Sequence, residues 1–287
     1  MERNNHPPTL WQRYVASPTL RRLSLLAPGI AAFFVLFVAP ISQLLVQGVI
    51  DEGSLTIEHF ATVFHSDHHV SVLLRTLRIA VVSTVITVVV GYGLAYYIVF
   101  HAVRKRLLIL LLFVSMLVDL VVRIFGWMII FSSGGALSTL LQWVGIIDEP
   151  FSLLYSELAI VVGIVQFCLP LMVLSVVGVL SGLDRSLVEA AKNLGATDAT
   201  AFRHVTLPLS IDGIIAGAGL VFALAMSSFV VPQMLGGARN RMLANSVYNV
   251  ITTSGNTPLA ASLSIILLAA TLSILVMVES GNKIGGA

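Results

Sequence analysis

The chain has 287 residues, of which 57% are apolar and 10% are charged, and its mean hydropathy is +0.97. This composition excludes a soluble globular domain, since such domains contain about 25% charged residues. The formal charge of +2, with scattered basic residues, excludes a nucleic-acid-binding role. The single cysteine, Cys168, excludes a disulfide framework. We therefore expect an all-α integral membrane protein.

Six apolar runs are long enough to cross ~30 Å of hydrocarbon as a helix, which takes ~20 residues. The first lacks a small-residue cleavage site, so we expect it to remain as a membrane anchor. The third is interrupted by Asp119 and Arg123, and the turn sequence SGNTP precedes the helix of the last run. The runs cover Leu23–Ile50, Ile79–Phe100, Leu107–Ile130, Leu158–Leu183, Gly213–Ala238 and Met242–Val278. We expect one six-helix domain over residues 23–280, a cytoplasmic segment over 1–22 and a cytoplasmic tail over 281–287.

Basic residues are distributed unequally between the two sides of this predicted bundle. Eleven lie before the first span, after the second and fourth spans or in the tail, against four on the opposite side. By the positive-inside rule, the richer side and both termini face the cytoplasm. The outer segments are then 51–74, 132–156 and 239–258. Within the last of these, 242–253 has apolar residues at helical spacing and predicts a short helix that either lies at the membrane surface or lines a pathway.

A polar stretch, EAAKNLGATDATAFRHVTLPL, follows the fourth span and begins at Glu189. Ser186 three residues before Glu189 predicts a capping box at a helix start, and Gly195 supplies the positive φ that ends the helix. Thr197 predicts the cap of a second short helix, which Pro208 ends. The stretch therefore predicts a helical hairpin over about 184–208. We expect its apolar side chains to be buried, either against a partner protein or against the chain's own bundle.

The spacing of this stretch resembles the EAA signature of the membrane subunits of binding-protein-dependent ABC importers of type I. The match departs from the family only at Val205, where isoleucine is usual. The segments 76–98, 121–147, 219–237 and 256–268 are similar to the spermidine/putrescine-type permease branch. The resemblance implies that the hairpin couples the spans to a cytoplasmic ATPase. The positions that it assigns to this coupling are Glu189, Ala190, Ala191, Gly195, Phe202, Val205, Leu207 and Pro208.

The resemblance also implies the type I permease fold in a bacterial cytoplasmic membrane and a subunit without catalytic activity. The implied partners are an ABC ATPase dimer that binds ATP and Mg, a second homologous permease subunit and an extracytoplasmic solute-binding protein. The residues agree, because no G-x-x-x-x-G-K-[ST] phosphate loop and no H-E-x-x-H motif occurs. The sequence HSDHH at 65–69 is either a polar loop tip or a set of metal ligands. We favour the loop and expect no metal or cofactor bound by this chain.

Charges and hydroxyls inside the predicted spans are the candidates for a translocation pathway. Asp119 and Arg123 are four residues apart, so they share one helix face and are expected to form an ion pair. Such charges either lock one span against another or line the route. Two serines precede Pro232, whose missing N–H frees a carbonyl and predicts a kink suited to a gate. The candidate pathway residues are Asp119, Arg123, Trp127, Ser227 and Ser228.

Two functions remain open from the residues: a permease subunit of an ATP-driven importer, and a self-sufficient secondary transporter driven by an ion gradient. Secondary transporters commonly have inverted repeats and intramembrane acids. Here Asp119 is the only acid well inside a predicted span, and no internal repeat is detected. We therefore favour the importer. The resemblance implies that its solute is a polyamine such as spermidine or putrescine, or a related small polar compound.

Overall fold

The computed structural model describes residues 18–51, 54–55 and 58–285. The predicted N-terminal segment lies outside the described residues up to residue 17, and so do the last two residues of the predicted tail. The described helices are α1 Pro18–Phe33, α2 Ala39–Val49, α3 Glu58–His65, α4 Asp67–Phe100, α5 Lys105–Leu117, α6 Leu120–Phe131, α7 Ala136–Trp143, α8 Glu157–Gly182, α9 Arg185–Asn193, α10 Asp198–Ala201, α11 Leu207–Leu209, α12 Ile211–Met226, α13 Leu243–Asn249 and α14 Thr257–Gly285. Four π-helical turns lie at Phe34–Val38, Phe202–Thr206, Pro232–Gly236 and Val250–Ser254, and the short strands β1 Ile50–Asp51 and β2 Ser54–Leu55 pair antiparallel.

Five described helices are long and apolar enough to cross a membrane, and a pair of segments bent by 62° makes a sixth if it is counted as one span. The number fits the six predicted spans, although the bounds of the third and the fifth differ. The five are Leu26–Val49, Asp67–Phe100, Leu120–Trp143, Glu157–Gly182 and Thr257–Ser280, and the bent pair is Asp198–Leu209 with Ile211–Met226. The all-α fold class is thereby confirmed.

The predicted third span, 107–130, is wrong as a continuous helix. It is divided at Val118 and Asp119 into α5 and α6, because Val118 is extended and Asp119 caps the helix that follows. The long apolar stretch continues from Leu120 through α7 to Trp143. Val118 and Asp119, at this break, are exposed in the single chain.

The helix of the second span is longer than predicted. It begins at Asp67 and not near Ile79, and its 34 residues extend about 51 Å at a rise of about 1.5 Å per residue. Arg75 and Arg78 consequently lie within this helix and not in a loop. Both pair with Glu157 at the start of α8, with 3.3 Å between Arg75 Nε and Glu157 Oε1. These ion pairs join the second and fourth spans at one end of the bundle.

The core lies where α4, α8 and α12 pack together. Small residues allow the close approach: a Cβ built on Gly213 lies 2.8 Å from Val179, and one built on Gly217 lies 2.6 Å from the sulfur of Met172. A Cβ on Gly91 of α4 likewise lies 2.7 Å from Met172. The backbones of the second, fourth and fifth spans therefore approach one another closely.

The first span touches the rest of the chain mainly near one end. Gly48 packs against Ala261 and Ile265 of α14, and its carbonyl accepts a hydrogen bond from Ser262 Oγ at 3.3 Å. The apolar side chains of this span are otherwise largely exposed in the single chain. Its surface is therefore suited to lipid or to another membrane chain.

The fifth span is broken and not simply kinked. Helix α12 ends at Met226, and helical structure resumes at Val230, just ahead of the π-helical turn that begins at Pro232. The fully buried Asn245 donates to the carbonyl of Phe229 and to Gln233 Oε1, each at 3.0 Å. The helix α13 that carries Asn245 buries Leu243, Asn245 and Ser246 against the bundle, and both alternatives for 242–253 stay open.

Candidate functional site

The first helix of the hairpin begins two residues earlier than its predicted cap. Asp184 is the N-cap of α9, and its carboxylate accepts from the backbone N–H of Ser186 at 2.9 Å. The predicted capping box of Ser186 and Glu189 is therefore wrong, because Ser186 already lies inside the helix. Hydrogen bonds from Ser186 lower the pKa of the Asp184 carboxyl below its ordinary value. Glu189 is thus not used as a cap, and it is exposed.

The turn of the hairpin follows the prediction. Gly195 has φ of +91°, a left-handed conformation that side-chain-bearing residues rarely adopt. Thr197 caps α10 by accepting from the N–H of Thr200 at 3.3 Å. Lys192 Nζ and Asp198 Oδ1, 2.6 Å apart, join the two helices across the turn, and this hydrogen bond raises the pKa of Lys192. The hairpin therefore has a defined shape before any partner binds.

The EAA-type residues divide between two surfaces of the hairpin. The N-terminal half is exposed at Glu189, Ala190 and Gly195, with Ala191 half-buried. Exposed apolar side chains flank this half, namely Leu187 at 48% and Leu194 at 90%. In the C-terminal half Phe202, Val205 and Leu207 are half-buried, while Pro208 is exposed. One surface is therefore free for contact, and the other faces the spans.

Phe202 connects the hairpin to the second span through aromatic contacts. Its ring centroid lies 5.9 Å from that of Tyr92 and 5.2 Å from that of Tyr96, both in edge-to-face geometry. Pro208 does not end the hairpin as predicted, because the helical segment continues to Leu209 and the chain bends at Ser210. Tyr92 and Ser210 meet at this bend, with 3.0 Å between their hydroxyl oxygens.

Asp119 and Arg123 do not form the predicted ion pair. Asp119 Oδ1 accepts from the N–H of Val121 at 2.8 Å, whereas Arg123 donates from Nε and Nη2 to the carbonyl of Val118 at 3.1 and 2.8 Å. The carboxylate caps the start of α6, and the guanidinium satisfies a carbonyl left free where α5 ends. The guanidinium also lies 5.7 Å from the ring centroid of Phe167. Both charges therefore stabilise the break in the third span.

Of the remaining pathway candidates, Trp127 lies one turn after Arg123 on α6, whereas Ser227 and Ser228 lie at the break of the fifth span. Trp127 is half-buried, and its ring centroid lies 5.0 Å from that of Phe131. Ser227 is exposed and donates from Oγ to the carbonyl of Ala223 at 2.9 Å, whereas Ser228 is half-buried at the break of the fifth span. Asp119 and Ser227 thus mark breaks in two different spans, each with a polar group that is exposed in the single chain.

The HSDHH segment is a junction of helices and not a loop tip. His65 ends α3, Ser66 separates the helices, and Asp67 begins α4. Among the described residues, no group of three or more His, Cys, Asp or Glu side chains is arranged to hold a metal ion.

Three features of the site were not predicted from the sequence. The Asp184 cap had a local signal, since aspartate before a helix is a favoured N-cap. The contact between Tyr92 and Ser210 joins residues 118 positions apart, and the contact between Asn245 and Phe229 joins separate elements. Long-range pairs of this kind leave no periodic signal in a single sequence.

Comparison with known proteins places this geometry in a family. The model of the family described as binding-protein-dependent transport system inner membrane component matches residues 87–279. The chain belongs to this family. It is 36% identical over 198 residues to the spermidine/putrescine transport system permease protein PotB of Escherichia coli, which covers 68% of this chain and 72% of that protein. It is also 31% identical over 231 residues to PotB of Haemophilus influenzae, with 80% of each chain covered.

Solved structures of other transporters share the fold of this chain. A bacterial ABC transporter involved in the import of the acidic polysaccharide alginate has a chain that superposes with a TM-score of 0.81 at 16% identity, covering 96% of this chain and 98% of that one. At that identity the likeness shows the fold alone. Together with the family match, it confirms the resemblance to ABC importer permeases and to the spermidine/putrescine-type branch. The chain is a non-catalytic permease subunit of an ABC importer, and the ion-gradient-driven alternative is not favoured.

Proposed function

We propose that this permease subunit forms part of the translocation pathway for a small polar solute and is driven by a separate ATPase that docks on the hairpin. The observation that carries the proposal is the division of the hairpin into an exposed surface and a surface in contact with the spans. Glu189 and Ala190 are exposed beside the apolar Leu187 and Leu194. A small, partly apolar surface of this kind is suited to a cleft in a partner protein.

The proposed orientation places the hairpin and both termini in the cytoplasm of a bacterium, with the spans in the inner membrane. The excess of basic residues on the hairpin side supports it. ATP and Mg would be bound by the ATPase dimer on this side, and none by this chain. The Arg75, Arg78 and Glu157 ion pairs would then lie at the outer end of the bundle.

The proposed assembly contains two further proteins. The first is a second permease subunit, since this chain is 31% identical over 113 residues to the permease protein PotC of Haemophilus influenzae, from a spermidine/putrescine transport system. The second is an extracytoplasmic solute-binding protein, because a solved alginate transporter with the same fold is in complex with a periplasmic protein. The largely exposed first span and the exposed polar groups at the helix breaks support burial against such partners.

We propose a polyamine or a related small polar compound as the solute. The similarity to PotB supports this class. Asp119 offers an exposed carboxylate at the break of the third span, and Ser227 offers a hydroxyl at the break of the fifth. Broken helices with free polar groups commonly line solute pathways in membrane proteins. Trp127, Arg123 and Ser228 complete the proposed lining.

The hairpin assignment is tested with Glu189→Leu in the complete complex, reconstituted with the ATPase, the second permease and the binding protein. We expect the chain to insert normally and ATP hydrolysis to become uncoupled from uptake. Glu149→Leu is the matched control, because Glu149 is an exposed acid in a connection far from the hairpin. Unchanged solute uptake per ATP in the Glu189 variant would contradict the assigned role.

A further inference from the structure

The bend between the hairpin and the fifth span is held from the side by the second span. Tyr92 is 9% exposed and Ser210 is fully buried, and their hydroxyl oxygens lie 3.0 Å apart. Ser210 Oγ also donates to the carbonyl of Leu207 at 2.9 Å, so we assign the phenol of Tyr92 as the donor to Ser210. This hydrogen bond joins the second span to the bend.

Ser210 belongs to the helical segments on both sides of the bend. Its N–H donates to the carbonyl of Thr206 at 3.1 Å, and its own carbonyl accepts from the N–H of Ile214 at 3.1 Å. Its backbone angles, φ of −99° and ψ of 0°, lie in the sparsely populated bridge region. The 62° angle between the hairpin segment and α12 is therefore set at this residue.

Tyr92 contacts the hairpin, and its neighbour in the second span packs closely against the fourth span. Its ring packs edge-on against Phe202, the residue at which the π-helical turn of the hairpin begins. The adjacent Gly91 is in such close contact with Met172 of α8 that a Cβ there would lie 2.7 Å from that side chain. The second span is consequently held against the fourth at the level of Tyr92, which makes it a firm support for the bend.

We propose that Tyr92 is a positioning residue that keeps the hairpin and the fifth span at a fixed angle, so that a movement of the hairpin tilts the span. The proposal rests on the proposed docking of an ATPase on the hairpin. Without the phenol hydroxyl, the bend at Ser210 keeps its backbone hydrogen bonds but loses its lateral support. Part of the movement of the hairpin is then absorbed at the bend and does not reach the span.

The test uses Tyr92→Phe and, separately, Ser210→Ala in the reconstituted importer with its ATPase, second permease and binding protein. Co-purification of the ATPase, ATP hydrolysis and solute uptake are each measured. Loss of one neutral hydrogen bond corresponds to roughly a fivefold change in a rate or an equilibrium constant. We expect unchanged co-purification, continuing hydrolysis and roughly a fivefold lower uptake per ATP in each variant. The double variant should be no worse than Ser210→Ala alone, since that variant already removes the bond with Tyr92 together with the one to Leu207.

Tyr97→Phe is the control, because Tyr97 is 54% exposed and stacks on His101. It should keep the parent uptake per ATP. The positioning role would be overturned if Tyr92→Phe had the uptake per ATP of the parent chain. It would also be overturned if uptake and hydrolysis fell in equal proportion. An ATPase that fails to co-purify even with the unaltered chain would instead overturn the docking proposal, and the positioning role with it.

Discussion

Asp119 has two separable roles at the residue scale, as a helix cap and as a charge. Its carboxylate caps α6 through the N–H of Val121, and it is exposed. Asparagine is as good an N-cap as aspartate but carries no charge. In the reconstituted importer, Asp119→Asn should therefore keep the fold while uptake of a cationic solute falls about tenfold, since hydrogen bonds to charged groups are worth about 1.5–3 kcal/mol.

The measurement is the uptake rate at saturating binding protein. Asp119→Ala, which removes both cap and charge, should lose thermal stability as well as uptake. Parent-like uptake in Asp119→Asn would show that the charge does not contact the solute, and the cap alone would explain this residue.

Gly195 determines the turn of the hairpin through its backbone and not through packing. Its φ is +91°, and no atom lies within 4 Å of the position that a Cβ would occupy. Gly195→Ala should therefore cost only the left-handed strain, about 1 kcal/mol. We expect roughly fivefold weaker binding of the ATPase to the purified chain, measured by titration in detergent.

Gly178→Ala is the control for this substitution. Gly178 has the same free space around its Cβ position but lies within the helix α8. It should bind the ATPase like the parent chain. If the Gly195 variant and the parent chain bind the ATPase with equal affinity, the turn can change shape on binding at no cost in free energy.

At the scale of elements, the fourth and fifth spans form a close interface of the core. A Cβ on Gly213 would lie 2.8 Å from Val179 Cγ2, and a β-branched side chain has little freedom to move away. Gly213→Ala should therefore destabilise the bundle by about 1–3 kcal/mol through overpacking. A thermal unfolding midpoint in detergent measures this effect.

Gly219→Ala provides the comparison on the same helix. A Cβ there meets Leu275 at 3.4 Å, an ordinary van der Waals contact. This variant should unfold within about 0.5 kcal/mol of the parent, as substitutions that disturb no packing usually do. Similar losses in both variants would show that the close approach at Gly213 is not what sets the stability of this interface.

Elements with local signals were predictable from the sequence, and elements set by distant partners were not. The Thr197 cap and the Gly195 turn follow from residue type alone, and both are present. The break at Asp119 had a local sign, an aspartate ahead of an apolar run, but the apolar run also fits an uninterrupted span. At the break in the fifth span, the carbonyl of Phe229 accepts a hydrogen bond from Asn245 of another helix. No spacing rule connects those residues.

At the scale of the whole molecule, the chain presents surfaces that it does not cover itself. The first span is largely exposed along its length, and the hairpin presents Leu194 at 90% exposure. An isolated chain would leave these apolar side chains to lipid or water. This organisation is suited to one subunit of a larger assembly.

The most direct test of this account is solute accumulation by vesicles of defined protein content. Vesicles with the chain alone, under an imposed ion gradient and with ATP present, should accumulate no solute. Addition of the ATPase, the second permease and the loaded binding protein should produce uptake that depends on ATP hydrolysis. Accumulation by the chain alone would contradict the dependence on a separate ATPase.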